Sequence, residues 1–226
     1  MLIQVRHVLS DAEAAELTAA LERADWADGR GSAGYLSAAV KDNSQLPDSS
    51  PVGRELGERI LRALDGNALF TSASLPFKVM PPHFNRYTDR QSYGRHIDGA
   101  IRQMSGSGSR VRTDLAATLF LTPPAEYDGG ELVVEDTFGA RRVKLGAGDM
   151  VLYPGTSVHR VEPVTRGTRL AAFFWIQSHV REDARRTILF ELDTAIQRLA
   201  ADVPKHAALV DLAGVYHNLL RTWADT

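Results

Sequence analysis

His96, Ile97 and Asp98 set an imidazole and a carboxylate two positions apart, and a second imidazole, His159, and a guanidinium, Arg169, follow later in the chain. In an extended strand, residues two apart share a face, so His96 and Asp98 can aim at one point. A second imidazole from a distant strand completes two nitrogens and one carboxylate on one face of a metal ion. Such a set leaves three coordination positions open, as in non-haem Fe(II) sites. Arg169 adds a planar cationic fork, the kind of group that holds a dicarboxylate by two-point contact. His-x-Asp alone is a weak signal, and most histidines are hydrogen-bonded structural residues. Order and setting strengthen it here. This is the only His-x-Asp in the chain, His159 lies in the short apolar run Ser157-Val158-His159-Arg160-Val161, and Arg169 opens the apolar run 170–175. A charge at the edge of a buried strand requires a partner. His7, His83, His179, His206 and His217 have no carboxylate at a matching spacing and stay outside the expected metal set.

Composition narrows the chemistry further. The 226 residues suffice for one domain with helical attachments. There is no cysteine, which removes disulfides, zinc–thiolate sites, iron–sulfur clusters and thiol nucleophiles. A formal net charge of -2 gives no general pull toward nucleic acid or membrane. The first residues turn polar and acidic without a signal-peptide core, and no apolar run approaches the ~18 residues of a membrane span. The expectation is a cytoplasmic protein with neither nucleic acid nor membrane as partner.

The elements that must position these groups follow from periodicity. Ser10 and Glu13 form a capping box ahead of an apolar face (Ala14, Leu17, Ala20, Leu21, Ala24), which predicts a helix over 11–25. Residues 27–50 read as loop with a short strand at 35–40. Ser50-Pro51 opens a second helix, with Val52, Leu56, Ile60, Leu61 and Leu64 as its buried stripe, and Asp65-Gly66 stops it. From 68 to 178 short strands alternate with turns: 77–79, 115–121, 131–135, 141–145, 149–153, 158–162 and 169–176. This grammar predicts a sandwich or jelly roll. The Ser/Gly segment 105–109 reads as a solvated linker, with a lid as its functional alternative. After 180 two helices return, one ended by Pro204. The predicted organisation is a helical support region over 1–77, a β domain over 78–178 and a helical region over 179–226.

Longer stretches of text carry a family resemblance. They include Phe84-Asn85-Arg86-Tyr87, Tyr93-Gly94-Arg95-His96-Ile97-Asp98, Thr118-Leu119-Phe120-Leu121 and Tyr127-Asp128-Gly129-Gly130-Glu131-Leu132. Leu152-Tyr153-Pro154-Gly155, His159-Arg160-Val161, Arg166-Gly167-Thr168-Arg169 and Phe173-Phe174-Trp175-Ile176-Gln177-Ser178 follow, then Leu189-Phe190-Glu191-Leu192-Asp193 and Gly214-Val215-Tyr216-His217-Asn218-Leu219-Leu220. In these the chain resembles the PKHD-type hydroxylases of the Fe(II)- and 2-oxoglutarate-dependent dioxygenase superfamily, within its prolyl 4-hydroxylase-like group. The resemblance implies an α+β chain, mainly β, whose core is a double-stranded β-helix (jelly roll) with N- and C-terminal helices.

It also implies that His96, Asp98 and His159 hold Fe(II), that Arg169 pairs with the C5 carboxylate of 2-oxoglutarate, and that Tyr87 lies beside that co-substrate. O2 would then be consumed, 2-oxoglutarate cleaved to succinate and CO2, and a C–H bond hydroxylated, with L-ascorbate as a reductant that restores oxidised iron. Halogenating relatives lack the carboxylate ligand, so Asp98 favours hydroxylation. Tyr93 is expected to pack the strand or support the site, Thr118 to line a pocket, Phe120 to fill core, and Trp175 to wall or fill the cavity. The substrate, a small molecule or a peptide, is not legible. Arg102, Arg110 and Arg112 could attract an acidic group, such as a catechol-bearing siderophore or an acidic peptide, or form a solvated basic loop. Relatives are associated with iron uptake, which admits a non-catalytic iron or 2-oxoglutarate sensor; a cupin-type isomerase or hydrolase would leave Arg169 unexplained. Leu219, Leu220 and Trp223 are expected either on the jelly roll or between copies of a homo-oligomer.

Overall fold

The computed structural model describes residues 1–104, 108–137 and 139–225. Alternation along the strand Leu115–Phe120 sets the layering. All six of its residues are buried, and its two faces enter different cores. Leu115, Ala117 and Leu119 pack with Leu17, Leu21, Ile60 and Leu64 of the N-terminal helices. Ala116 and Phe120 pack instead with Tyr87, Leu132, Val134, Val161 and Trp175. The neighbouring strand Arg169–Ser178 repeats the pattern, with Leu170, Ala172, Phe174 and Ile176 toward the helices and Trp175 toward the other side. Period-two alternation thus makes one sheet the middle layer between helices and a second sheet.

The middle layer is an eight-stranded sheet running Ile3–Val5, Met150–Pro154, Leu115–Phe120, Arg169–Ser178, His83–Tyr87, Ser44–Gln45, Ala27–Asp28, with Pro76–Val79 also on Arg169–Ser178. Facing it is a five-stranded sheet ordered Gly139–Val143, Leu132–Asp136, His159–Val161, Ser92–His96, Lys41–Asp42. The pairings within both are antiparallel. Two antiparallel sheets around one core, with helices outside, give the jelly-roll arrangement with flanking helices. The predicted strands at 77–79, 115–121, 131–135, 141–145, 149–153, 158–162 and 169–176 are present with small shifts at their ends.

The helices form where local chemistry favours them. Asp11–Glu22 carries the full capping box, Glu13 N donating to Ser10 Oγ at 3.3 Å and Ser10 N to Glu13 Oε2 at 2.8 Å. It stops short of 25 because Trp26 folds back, its indole N–H donating to the Leu21 carbonyl at 3.0 Å. Pro51–Asp65 starts on Ser50, whose hydroxyl accepts from Gly53 N, and ends at Gly66.

Elsewhere the structure departs from expectation. The 35–40 strand is absent: Tyr35–Ala38 is one turn of helix closed by Ala38 N donating to Gly34 O at 2.8 Å, and Tyr35 and Leu36 stand exposed with no sheet to join. Two-residue strands follow it at Lys41–Asp42 and Ser44–Gln45. The region from 68 opens with a helix, Ala68–Ser74, because Asn67 caps it through Oδ1 to Phe70 N at 2.9 Å. Leu219, Leu220 and Trp223 of helix Ala208–Trp223 pack with Leu75, Val180 and Leu189, the last from helix Asp183–Asp202. In the Ser/Gly segment, 105–107 lies outside the described residues; it is flanked by the ribbon Ile101–Gln103 and Arg110–Arg112. Among the described residues no helix is long and apolar enough to cross a membrane.

Candidate active site

Between the two sheets lies a cleft of about 920 Å³. His96 and His159 enter it from adjacent antiparallel strands of the smaller sheet, where they are direct cross-strand partners, and their ring centroids lie 4.2 Å apart. Asp98 arrives differently from expectation. The strand Ser92–His96 ends at His96, and Asp98 lies in the irregular stretch that follows. The cause is the partner strand, which begins at His159 and so offers nothing for 97–98 to pair with. The side chain is held from the opposite sheet: Trp175 Nε1 donates to Asp98 Oδ2 at 2.8 Å. Asp98 Oδ2 lies 3.8 Å from His159 Nε2.

One ligand atom from each of His96, Asp98 and His159 lies within 4.8 Å of the others, close enough to share a metal ion. The hydrogen bonds preset the rings. His96 Nδ1 is 2.8 Å from the Gly94 carbonyl and His159 Nδ1 is 3.1 Å from that of Ser157. A carbonyl only accepts, so each Nδ1 carries the proton and each Nε2 lone pair is free. Burial, and next the His159 imidazole, push the His96 pKa down to about 4, so at neutral pH it is an uncharged donor. Tyr93 stacks on His96 at 3.6 Å between centroids, and Tyr153 meets His159 edge-on at 5.2 Å. Tyr93 therefore orients a site ring rather than merely packing its strand.

Arg169 lies deeper, at the start of the central strand, with Tyr87 as its direct cross-strand partner. It is 1% exposed. Its Cζ sits 5.4 Å from the Tyr87 ring centroid and 5.2 Å from that of Phe120. Nε and Nη1 are buried without a hydrogen-bond partner among the described residues. A guanidinium in this state costs several kcal/mol unless an anion joins it. Its bed is specified by glycine: Gly130 has φ 66°, and a Cβ there would lie 3.0 Å from Arg169 Cδ and 2.9 Å from Val164 Cγ2. Thr118 lines the cleft and Phe120 supports Arg169 from below. Burial pushes the Tyr87 pKa up to about 12, which keeps it a neutral hydroxyl.

The three loop arginines separate. Arg110 is exposed, Arg112 is paired with Asp114 at 2.6 Å, and Arg102 turns inward over Trp175, 3.8 Å from Cζ to the ring centroid. Lys41, Gln45 and Asn85 also line the cleft, with no motif in the sequence to mark them, and His83, outside the expected metal set, serves as wall, stacked on Phe173.

Residues 82–177 match the 2OG-Fe(II) oxygenase superfamily, and residues 183–225 match the PKHD-type hydroxylase C-terminal domain. Fold and match together define a 2-oxoglutarate-dependent dioxygenase, whose class uses Fe(II), 2-oxoglutarate and O2. A PKHD-type hydroxylase of Bordetella pertussis is 59% identical over 225 residues, and PKHD-type hydroxylase PiuC of Pseudomonas aeruginosa is 56% identical, each covering 100% of both chains. The chain belongs to the PKHD-type hydroxylase family. Among solved structures, a prolyl-4-hydroxylase of Pseudomonas putida shares the fold with a TM-score of 0.54, 21% identity and coverage of 78% of this chain and 92% of that one. HygX of Streptomyces hygroscopicus, with nickel and 2-oxoglutarate bound, shares it with a TM-score of 0.53, 16% identity and coverage of 78% and 82%.

Proposed function

We propose that in this hydroxylase His96, Asp98 and His159 hold Fe(II), that Arg169 receives the C5 carboxylate of 2-oxoglutarate, and that Tyr87 flanks that co-substrate. The carrying observation is the Arg169 guanidinium: a cation 1% exposed, with Nε and Nη1 unpartnered among the described residues, in a cleft that also holds a two-imidazole, one-carboxylate donor set. A two-carboxylate co-substrate supplies what Arg169 lacks, with one end on the metal and the other on the fork. The donor set fits Fe(II), being nitrogen and oxygen, without thiolate, with three positions left open.

When bound, the iron supplies the oxidative chemistry: with O2 it couples cleavage of 2-oxoglutarate to succinate and CO2 with hydroxylation of a C–H bond. The chain's own groups do the positioning. The Gly94 and Ser157 carbonyls fix the two ring tautomers, Trp175 holds Asp98, Tyr93 and Tyr153 pack the two imidazoles, and Phe120 packs the Arg169 guanidinium. Retention of Asp98 supports hydroxylation over halogenation. The substrate is a small molecule or peptide side chain, L-ascorbate is expected to prolong turnover, and a cytoplasmic role in iron uptake or homeostasis is the physiological reading.

Anaerobic titration tests the centre. Adding 2-oxoglutarate to the Fe(II)-loaded protein is expected to produce a visible charge-transfer band, absent in His96→Ala and Asp98→Ala. Under air, succinate release stimulated by one fraction of a metabolite pool is expected. An iron spectrum indifferent to 2-oxoglutarate would sink the proposal, whereas tight binding without turnover on any fraction would assign a sensor.

A further inference from the structure

We propose that Lys41 and Arg102 form a second anion-binding point in the cleft, and that the molecule hydroxylated is a small carboxylate with an apolar body. This rests on the function proposed above and names its substrate class. Lys41 is 6% exposed, an unusual place for an ammonium. Its Nζ donates to Ser32 Oγ at 2.8 Å and Gln45 Oε1 at 3.0 Å, both neutral, and no ion pair joins it to a carboxylate among the described residues. Arg102 reaches the same residue from the other side, Nη2 donating to the Ser32 carbonyl at 3.4 Å, and it too has no carboxylate partner there. Two cations therefore converge on Ser32 and face the cleft. Burial first, and Arg102 second, push the Lys41 pKa down to about 8, the response expected of a cation lacking an anion.

No acid forms an ion pair with either cation among the described residues. Asp28 is paired with Arg30, and Asp48, 3.2 Å from His83 Nδ1, attracts Arg102 only from beyond ion-pair distance. Asp98 attracts both cations but belongs to the metal set. With a divalent ion, Asp98, a 2-oxoglutarate dianion and Arg169 in place, the charges of the inner site cancel, and those of Lys41 and Arg102 remain. A substrate carboxylate would answer them.

Position supports this assignment. Arg102 stacks on the same indole that donates to Asp98, so an anion beside Arg102 lies one ring away from a proposed metal ligand. Carbons next to that carboxylate would lie in the same cleft as the His96, Asp98 and His159 donor set. The mouth of the cleft is apolar: Tyr35 is 91% exposed there, with Leu36, Ile97 and Ile101 also bare. A charged head and an apolar body match these two surfaces.

Calorimetry on the full chain loaded with Ni(II) and saturating 2-oxoglutarate, which occupies Arg169, tests this with 1-naphthoate against the neutral isostere 1-naphthamide. Naphthoate is expected to bind roughly tenfold tighter, with that preference falling as salt is raised. Lys41→Met and Arg102→Gln should each weaken naphthoate about fivefold, leave naphthamide alone and change 2-oxoglutarate affinity less than twofold. Arg102 is partly exposed, so its variant keeps the test open if removing buried Lys41 prevents folding. Failure of naphthoate to outbind the amide, or a preference that stays undiminished in Arg102→Gln, overturns the proposal. Should 2-oxoglutarate itself not bind, the function proposed above fails; the naphthoate preference is then read in Arg169→Gln, where the deeper cation is gone.

Discussion

Trp175 donates its indole N–H to Asp98 across the cleft at 2.8 Å, so the central strand of the larger sheet aims a carboxylate that belongs to the smaller one. The bond fixes Asp98 where its own strand has already ended. Trp175→Phe keeps an aromatic ring under Arg102 but removes the donor. Outer groups of this kind are worth about 10–100-fold in metal affinity. The variant is therefore expected to bind Fe(II) or Co(II) about tenfold more weakly in a competition titration while melting within a few degrees of the parent. Unchanged metal affinity would mean that Asp98 is placed by its backbone alone.

Arg169 presents a conflict between stability and function. In the ligand-free protein it is a buried cation with two nitrogens unpartnered among the described residues. Replacing a buried charge by an apolar side chain of similar volume is often neutral or stabilising by about 1–4 kcal/mol. Arg169→Met is thus expected to raise the melting temperature of the ligand-free protein, by about 2–4 °C for each kcal/mol gained. The same substitution should abolish the further rise that 2-oxoglutarate gives the parent. Arg169→Lys, which keeps the charge and loses the fork, should weaken 2-oxoglutarate binding and spare metal binding. A destabilised Arg169→Met protein that still responds to 2-oxoglutarate would place the co-substrate elsewhere.

Gly130 links the turn text to the site. Its φ of 66° and its contact with Arg169 Cδ mean that Gly130→Ala adds both backbone strain and a side-chain clash. Left-handed strain costs about 1–3 kcal/mol on its own. The expected result is a drop in denaturation midpoint together with weaker 2-oxoglutarate binding, because the guanidinium must shift. A loss of stability with unaltered co-substrate affinity would show that the turn, and not the bed of Arg169, needs the glycine.

Much of the site is legible in the chain because rare residue types stand at fixed spacings in recognisable strands. His159 and Arg169 lie in apolar runs whose alternation survives, and the turns between them are marked by glycine. The strand His83–Tyr87 escapes detection for the reason that makes it useful: His83, Asn85 and Tyr87 line the cleft, so its inner face is polar and the apolar alternation is lost. Lys41 and Gln45 lie on strands of two residues, too short to show any period, in a segment rich in Gly and Ser. The bond from Trp175 to Asp98 spans two sheets and 77 positions, a relationship visible only once both sheets are assembled. Likewise, the spacing of His96 and Asp98 suggested a shared strand face, whereas the chain leaves the ladder between them.

The buried imidazole of His96 makes stability depend on pH in a defined window. Its pKa is about 4 in the folded chain against 6.5 ordinarily, so between these values the unfolded chain binds more protons. Stability therefore rises with pH through this range and falls as pH drops from about 6.5 toward 4. His83, held down mainly by burial, acts in the same direction. Carboxylates with lowered pKa, such as Asp28 at about 2 and Glu13 and Glu135, lose their contribution only below their ordinary values of 3.8 and 4.5, so the window above 4.5 belongs to the histidines. Melting temperature is expected to decline from pH 7 to pH 5 in the parent and to decline less in His96→Gln. A bound metal ion should resist this loss until protons displace it, shifting the decline to lower pH. An equal slope in parent and His96→Gln would show that His96 is protonated as readily in the fold as outside it, and would remove the basis for treating it as a neutral donor.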